Sequence, residues 1–517
     1  MLAFTPPPQI PPVITFSQPK YGAEPTVVES HGFKYVVTGN TLISPEQIQM
    51  ALRFASDPEA GLSALLRIYY SLGYRLVAIT GQISGQTVQV SVFQGILTEL
   101  QVPDSLTDYF GSLEGRDDVR TPEIIRDQIL AQSYADRSGK QLHVNLVPAS
   151  NPGGSVLTIK EADQPGYFPV DADLNFGNYG SRYSSAYVAG GSVSANLTHG
   201  LQISANLTQG LPGLRAESFG SNFYQNGISG SAVTPYGTYG VSANWTHYRL
   251  GQTTYPLYPD GNVFDYQITG TQLFYADEST RLALNEAFNR VKYREKAFNG
   301  FYTLVDQQYN YLSFGPNVNK SFSVIGLPGS VNAGVTFNIG ISSAAGGLVD
   351  NMPGAPTSHF KYTNLAISEN QALPGGLQTV FTGQAQISTS TLPSQQQWVL
   401  GGFGNLTAWE PGAATGDSGY AARLELDAPT LAYAKSALTF GAFGEVGGAT
   451  FRTPSPGTFP SQTLADIGLS LKIQLPEKFS ATAMTALPIK SAGFDKVARN
   501  SLKQDRLDAF FVVQKGF

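Results

Sequence analysis

Cysteine is absent from all 517 residues, which excludes disulfides, thiolate metal sites and cysteine nucleophiles. Charge is scarce as well. Asp, Glu, Lys and Arg make up 14% of the chain, against roughly 25% in an ordinary soluble protein. No run approaches the ~18 to 20 consecutive apolar residues that a membrane-crossing helix needs, which argues against an inner-membrane helical protein. The five histidines, His31, His143, His199, His247 and His359, stand singly without ligand spacing, so neither a metal nor another cofactor is expected. A net charge of -6 argues against nucleic acid as a main partner. The opening MLAFTPPPQIPPVITF lacks a positive segment followed by an apolar one, so no signal peptide is expected there.

What fills the chain instead is Gly (55), Phe (30) and Tyr (26), with many uncharged polar residues. That composition suits a wall that is apolar on one side and polar on the other, as in a membrane β-barrel. A soluble array of β-sandwiches is the competing reading.

Residues 1–31 carry Pro6-Pro7-Pro8 and Pro11-Pro12 and read as an extended leader or linker. From Phe33 the pattern turns compact. Lys34 to Val37 reads as a strand, and Ser44-Pro45-Glu46-Gln47 opens a helix with an N-cap, a proline in the first turn and a capping-box glutamine. A second helix places Leu62, Leu65, Leu66, Tyr69 and Leu72 on one face before Gly73. Strands are expected at Tyr74 to Ile79 and Val88 to Phe93. The same β-α-α-β-β order recurs, with strands at Ile96 to Val102, Leu142 to Pro148 and Ser155 to Lys160. Its helices fall at Leu106 to Leu113 and after Thr121-Pro122-Glu123. Two small modules without catalytic residues read either as spacers or as binding domains whose sheet edges capture an extended client by strand addition. Tyr69, Arg75, Val77 and Ile79 mark the candidate edge in the first.

After Gln164-Pro165-Gly166 the helical period disappears. Leu201, Ile203, Ala205 and Leu207 alternate with Gln202, Ser204, Asn206 and Thr208, and Ile467 to Leu475 alternates in the same way. Strands of ~9 to 11 residues with their turns and outer loops take about 22 residues each, so this region accommodates roughly 16. The chain ends LDAFFVVQKGF, with Leu507, Ala509, Phe511, Val513 and Phe517 on one alternating face. Within this region Trp398 to Leu426 joins two strand-like segments through a loop rich in glycine. Its Leu406-Thr407-Ala408-Trp409 tip is expected to fold inward as a plug, because an exposed indole leaves much apolar surface in water.

Taken together, these segments resemble the TpsB transporters of two-partner secretion, within the superfamily that joins POTRA domains to an outer-membrane barrel. Asn178-Tyr179-Gly180-Ser181-Arg182-Tyr183-Ser184 is similar to the first-strand motif. Leu392-Pro393-Ser394 through Leu400-Gly401-Gly402 is similar to the run into the sixth extracellular loop, and Gly416-Asp417-Ser418-Gly419-Tyr420 with Arg423 and Glu425-Leu426 to the segment leaving it. The resemblance implies two periplasmic POTRA domains, at 32–95 and 96–163, and a barrel of about 16 antiparallel strands over 164–517 with an inward-folding loop at 401–420. It also implies an outer-membrane location, an unfolded TpsA-type exoprotein as client, outer-membrane lipids around the barrel, and the barrel-assembly machinery during biogenesis. The terminal Phe517 resembles the signal by which that machinery recognises its substrates.

One departure stands out. The family carries Val-Arg-Gly-(Tyr/Phe) at the loop tip, and this arginine is implied to pair with an acidic residue on the inner wall. Here the tip has no arginine, while Phe443-Gly444-Glu445-Val446-Gly447 still offers the carboxylate. Either Arg182, Arg423 or another cation replaces the partner, or Trp409 packing and hydrogen bonds hold the loop, or Glu445 faces a wet lumen. Phe443, Glu445 and Gly447 are the candidate wall contacts. The function expected is a secretion pore, not an enzyme. An insertase of the same superfamily and a plugged porin are the alternatives.

Overall fold

The computed structural model describes residues 24–517 except positions 152, 182, 252–253, 344–354, 455–458 and 495–508. Most of the proline-rich leader, Arg182 and Leu507 therefore lie outside the described residues.

The first module is built as its sequence signals require. Ser44 accepts the Gln47 N–H while Gln47 returns its side chain to the Ser44 N–H at 2.8 Å, which starts helix α1 (Pro45–Leu52) and typically contributes ~1 kcal/mol. Asp57 caps α2 (Pro58–Ser71) through the Ala60 N–H at 2.8 Å. The apolar faces of both helices cover one sheet of four strands in the order β1-β2-β4-β3, made of β1 (Thr26–Ser30), β2 (Phe33–Thr38), β3 (Val77–Ser84) and β4 (Thr87–Gln94). Tyr35, Ile48, Leu52, Leu65 and Val88 are fully buried between the layers.

Two boundaries differ from the sequence expectation. Thr26–Ser30, assigned to the leader, pairs antiparallel with Phe33–Val37 across the His31-Gly32 turn, where both residues take positive φ. The strand expected at Tyr74 to Ile79 begins only at Val77, because Tyr74 closes the α2 C-terminus through its N–H to the Tyr69 carbonyl.

The second module repeats the plan with β5 (Ile96–Gln101), a short helix α3 (Thr107–Phe110), α4 (Thr121–Asp136), β6 (Lys140–Pro148) and β7 (Gly154–Asp163). Its sheet order is β5-β7-β6. Leu97, Leu106, Phe110, Leu113, Ala131 and Leu157 form its core. In α4 the Asp127 carboxyl is pushed up to about 6 by burial, against the pull of Arg126 2.6 Å away. The modules meet at Gly73, whose carbonyl accepts both the Thr121 N–H and hydroxyl.

Beyond them the chain closes into an antiparallel barrel with sixteen strands among the described residues. It runs from Val170–Gly177 to Ala509–Gly516, and these two pair with each other. Its strands alternate as period two demands. Ile203, Ile228, Ile268, Ile467 and Leu469 are all more than half exposed on the outer wall, where the hydrocarbon takes them up. No helix among the described residues is long and apolar enough to cross a membrane. An even strand count returns both barrel ends to the side of the two modules, so the connection over 389–417 is the sixth loop on the far side.

The second module is fastened to the near rim. The Arg137 guanidinium donates to the carbonyls of Gly200 and Ser231 at 2.6 and 2.7 Å and to the Ser231 hydroxyl at 2.9 Å. Burial there pulls its pKa down from the usual value. Tyr109 donates to the Val233 carbonyl, and Leu273 of the Asp260–Ala276 strand packs on the module's core.

Candidate functional site

The sixth loop leaves the Gln378–Ser388 strand and returns at Ser418–Asp427. It does not spread outward. Trp398–Leu400 and Ala414–Gly416 pair antiparallel as a narrow ribbon that carries the tip into the lumen, where Leu406, Thr407, Ala408 and Trp409 are at most 3% exposed. Glycine is required in the ribbon. At Gly401, φ is 101° and an added Cβ would lie 1.9 Å from the Glu410 carbonyl oxygen. Gly419 has no room for a side chain because the Trp398 ring lies against it. Leu406 itself takes φ 64°, a conformation that costs a leucine of order 1–3 kcal/mol, and complete burial of its side chain offsets this. The space it enters exists because position 447 is glycine, whose absent Cβ would sit 2.9 Å from Leu406 Cδ1.

Two carboxylates on the wall face the tip. Glu445 and Asp466 stand opposite each other on adjacent strands, an arrangement in which like charges repel. The loop answers with backbone donors. The Thr407 N–H donates to Glu445 at 2.5 Å and the Ala408 N–H to Asp466 at 2.9 Å. Successive amides aimed at anions form a small concave donor site.

Full positive charge comes from the wall. Arg423, directly across from Glu445 in register, places Nη1 2.7 Å from Glu445 and Nη2 2.8 Å from Glu425, with its guanidinium 3.7 Å over the Phe443 ring. Lys472 extends the network to Glu425 and Asp427 at 3.0 and 2.8 Å. The tip's own Glu410 lies 3.7 Å from Arg215 of the second outer loop.

The structure thus brings Phe443, Glu445 and Gly447 to the loop tip. Glu445 is 4% exposed, which overturns the wet-lumen alternative, and among the described residues it is Arg423 that pairs with it. Thr407 engages the carboxylate mainly through its amide.

The loop base has a second anchor, made of hydrogen bonds, that the sequence reading missed. Asp417, fully buried, accepts the Leu392 N–H at 2.7 Å and the Arg452 N–H at 2.9 Å. Gln396 accepts from the Tyr362 hydroxyl at 2.5 Å and donates to Tyr309 at 3.1 Å. Asp417 had a local signal, as the one acid in a Gly-Asp-Ser-Gly turn. The partners of Gln396 come from strands 87 and 34 residues away and left none.

The edge residues of the first module divide. Ile79 lies on β3, the outermost strand of its sheet. Tyr69 is a correction. It is fully buried, its hydroxyl donates to Asn40 at 2.6 Å, and burial raises its pKa, because its helix turns that face onto the sheet. Val77 gives backbone to the edge but its side chain is in the core at 2% exposure. Arg75 precedes the strand, lies over the Tyr70 ring and comes 3.9 Å from Glu278 in a barrel turn.

Tip packing and tip hydrogen bonding make different contributions. Trp409→Ala removes a buried aromatic, typically ~3–5 kcal/mol, whereas Glu445→Gln keeps an oxygen for the Thr407 N–H, loses the bond from Arg423, which still pairs with Glu425, and costs roughly 1–3 kcal/mol. Resting conductance in planar bilayers is expected to rise more for Trp409→Ala. The reverse order would mean that charge, not packing, holds the tip.

A closed barrel with a lipid-facing wall, an inward-folded sixth loop and two periplasmic α/β modules on its rim defines a plugged outer-membrane pore. The chain belongs to the haemolysin secretion/activation family of ShlB, FhaC and HecB, whose model matches residues 153–454, more than half of it. It is accordingly an outer-membrane TpsB transporter that translocates an exoprotein. It is similar to the heme/hemopexin transporter protein HuxB of Haemophilus influenzae, 24% identical over 443 residues that cover 79% of this chain and 72% of the relative. CdiB from Escherichia coli has a similar fold, with a TM-score of 0.73 at 16% identity over 97% of this chain and 92% of that one. CdiB from Acinetobacter baumannii gives a TM-score of 0.69 at 13% identity over 96% and 91% of the two chains.

Proposed function

We propose that the first module captures an extended segment of a TpsA-type exoprotein by strand addition along β3, near Ile79, and that the second module holds it beneath the barrel mouth. The Leu406–Trp409 tip then leaves the Glu445–Asp466 wall and the client passes through the lumen. The observation that carries this reading is the tip itself. It is seated by two backbone hydrogen bonds on carboxylates whose cation belongs to the wall, so its departure leaves the Glu445–Arg423 pair intact and separates only Glu410 from Arg215. That lowers the barrier to opening relative to a tip that carries its own arginine.

The sequence has no phosphate-binding loop, so folding of the client outside biases direction, with no chemistry performed on it. The barrel-assembly machinery inserts the chain during biogenesis, and outer-membrane lipids surround the wall. Deleting residues 26–163, which takes away β1 along with both modules, is expected to abolish export while the barrel still assembles and shows heat-modifiable mobility. Undiminished secretion by that variant would refute the capture role.

A further inference from the structure

The outer wall of this barrel is largely uncharged, but the seventh strand, Thr280–Ala297, departs from that pattern. Asn289, Val291 and Tyr293 are at most 4% exposed, and Val291 packs with Tyr309, Phe360 and Leu392 on the lumen side. Strict alternation therefore turns Arg290, Lys292, Arg294 and Lys296 outward, and the first three are exposed. Lower on the same face come Leu282, Leu284 and Phe288, interrupted by Glu286, which accepts a hydrogen bond from Gln272 at 3.2 Å. Lys292 stands in register with Phe264, whose ring stacks on Trp245 at 5.8 Å and 4°. Aromatic rings of this kind mark the level where hydrocarbon gives way to headgroups.

The cations begin at that level and continue away from the modules, at intervals of about 7 Å along the strand. Arg294 is paired with Asp306 at 2.6 Å, and Lys296 is in register with Asp260. Arg290 has the neutral Gln308 amide beside it. Among the described residues neither Arg290 nor Lys292 has a carboxylate within ion-pair distance, in a chain whose net charge is -6.

We propose that Arg290 and Lys292, backed by Arg294 and Lys296, bind the phosphate groups of a phosphorylated lipid of the outer leaflet, of the lipid A type. The guanidinium fork matches phosphate oxygens bidentately and the ammonium adds a point charge. The acyl chains lie below on Phe288 and on Leu312 and Phe314 of the neighbouring strand, which are about 40% exposed. The site goes beyond the transport activity, and it sits on the outside of the wall that anchors the loop base through Tyr309.

The test is native mass spectrometry of the full chain in detergent. The probes are lipid A carrying its phosphates, the same lipid A with them removed, and inorganic phosphate as competitor. Each basic side chain at an anionic surface is worth about a factor of five, so Arg290→Gln with Lys292→Gln is expected to weaken retention of phosphorylated lipid A about twenty-five-fold. Unchanged heat-modifiable mobility would show that the barrel remains folded. The charge-matched control Lys34→Gln with Arg67→Gln, both on the first module, leaves retention unchanged. Three results would each overturn the proposal: retention indifferent to the wall substitutions, equal retention of dephosphorylated lipid A, or displacement of the lipid by inorganic phosphate.

Discussion

Arg423→Ala opens the resting pore. Among the described residues this side chain is the one cation at ion-pair distance from both Glu445 and Glu425, and both carboxylates are about 5% exposed. Removing one partner from a buried charge pair typically costs ~3–5 kcal/mol, because the remaining charge is left uncompensated. Glu445 and Asp466, which stand opposite each other, would then face each other with only the two loop amides between them. Lys472 still serves Glu425, so the damage concentrates at Glu445, beneath the tip. Planar-bilayer recordings should show a resting conductance above that of either Trp409→Ala or Glu445→Gln. Adding Glu445→Gln to Arg423→Ala should restore part of the closure, since the second change removes the orphaned charge. Arg423→Lys should be intermediate, because an ammonium cannot bridge two carboxylates as a planar fork does. Wild-type conductance in Arg423→Ala would show that packing of Leu406 and Trp409 closes the pore unaided.

The second large effect is expected at the rim. Arg137→Ala removes all three hydrogen bonds from the C-cap of α4 to Gly200 and Ser231, each of the charge-assisted kind that contributes ~1.5–3 kcal/mol. Tyr109 and Leu273 remain, so the module stays folded but its angle to the barrel is released. The absence of native cysteine allows spin labels at two introduced cysteines, Glu114→Cys and Tyr236→Cys, both exposed positions. Their distance distribution should broaden and secretion should fall several-fold. A distribution as narrow as that of the parent would mean that apolar contact fixes the angle, and the guanidinium would then have no positioning role.

Much of the architecture was legible because it is written in short-range patterns. The capping box at Ser44 and Gln47, the two-residue alternation at Leu201 to Leu207 and the glycine clusters around the loop each act within a few residues, where local physics dominates. Thr26–Ser30 was misread because Pro25 directly precedes it, and a strand that contributes one edge to a sheet is defined by its partner. Tyr69 was misread for a related reason. An aromatic on a helix face looks available until the sheet that covers it is in place.

The sequence by itself determined that the chain folds as two small α/β modules followed by a barrel, and that its sixth loop lacks a tip arginine, since composition and periodicity depend only on near neighbours. Which cation meets Glu445 was decided by the tertiary structure alone. Arg423 and Glu445 lie 22 residues apart and become neighbours through strand register. Ala408 reaches Asp466 across 58 residues only because the loop folds back through the barrel. Such pairings are set by the register and closure of the whole sheet, which no local run of residues contains.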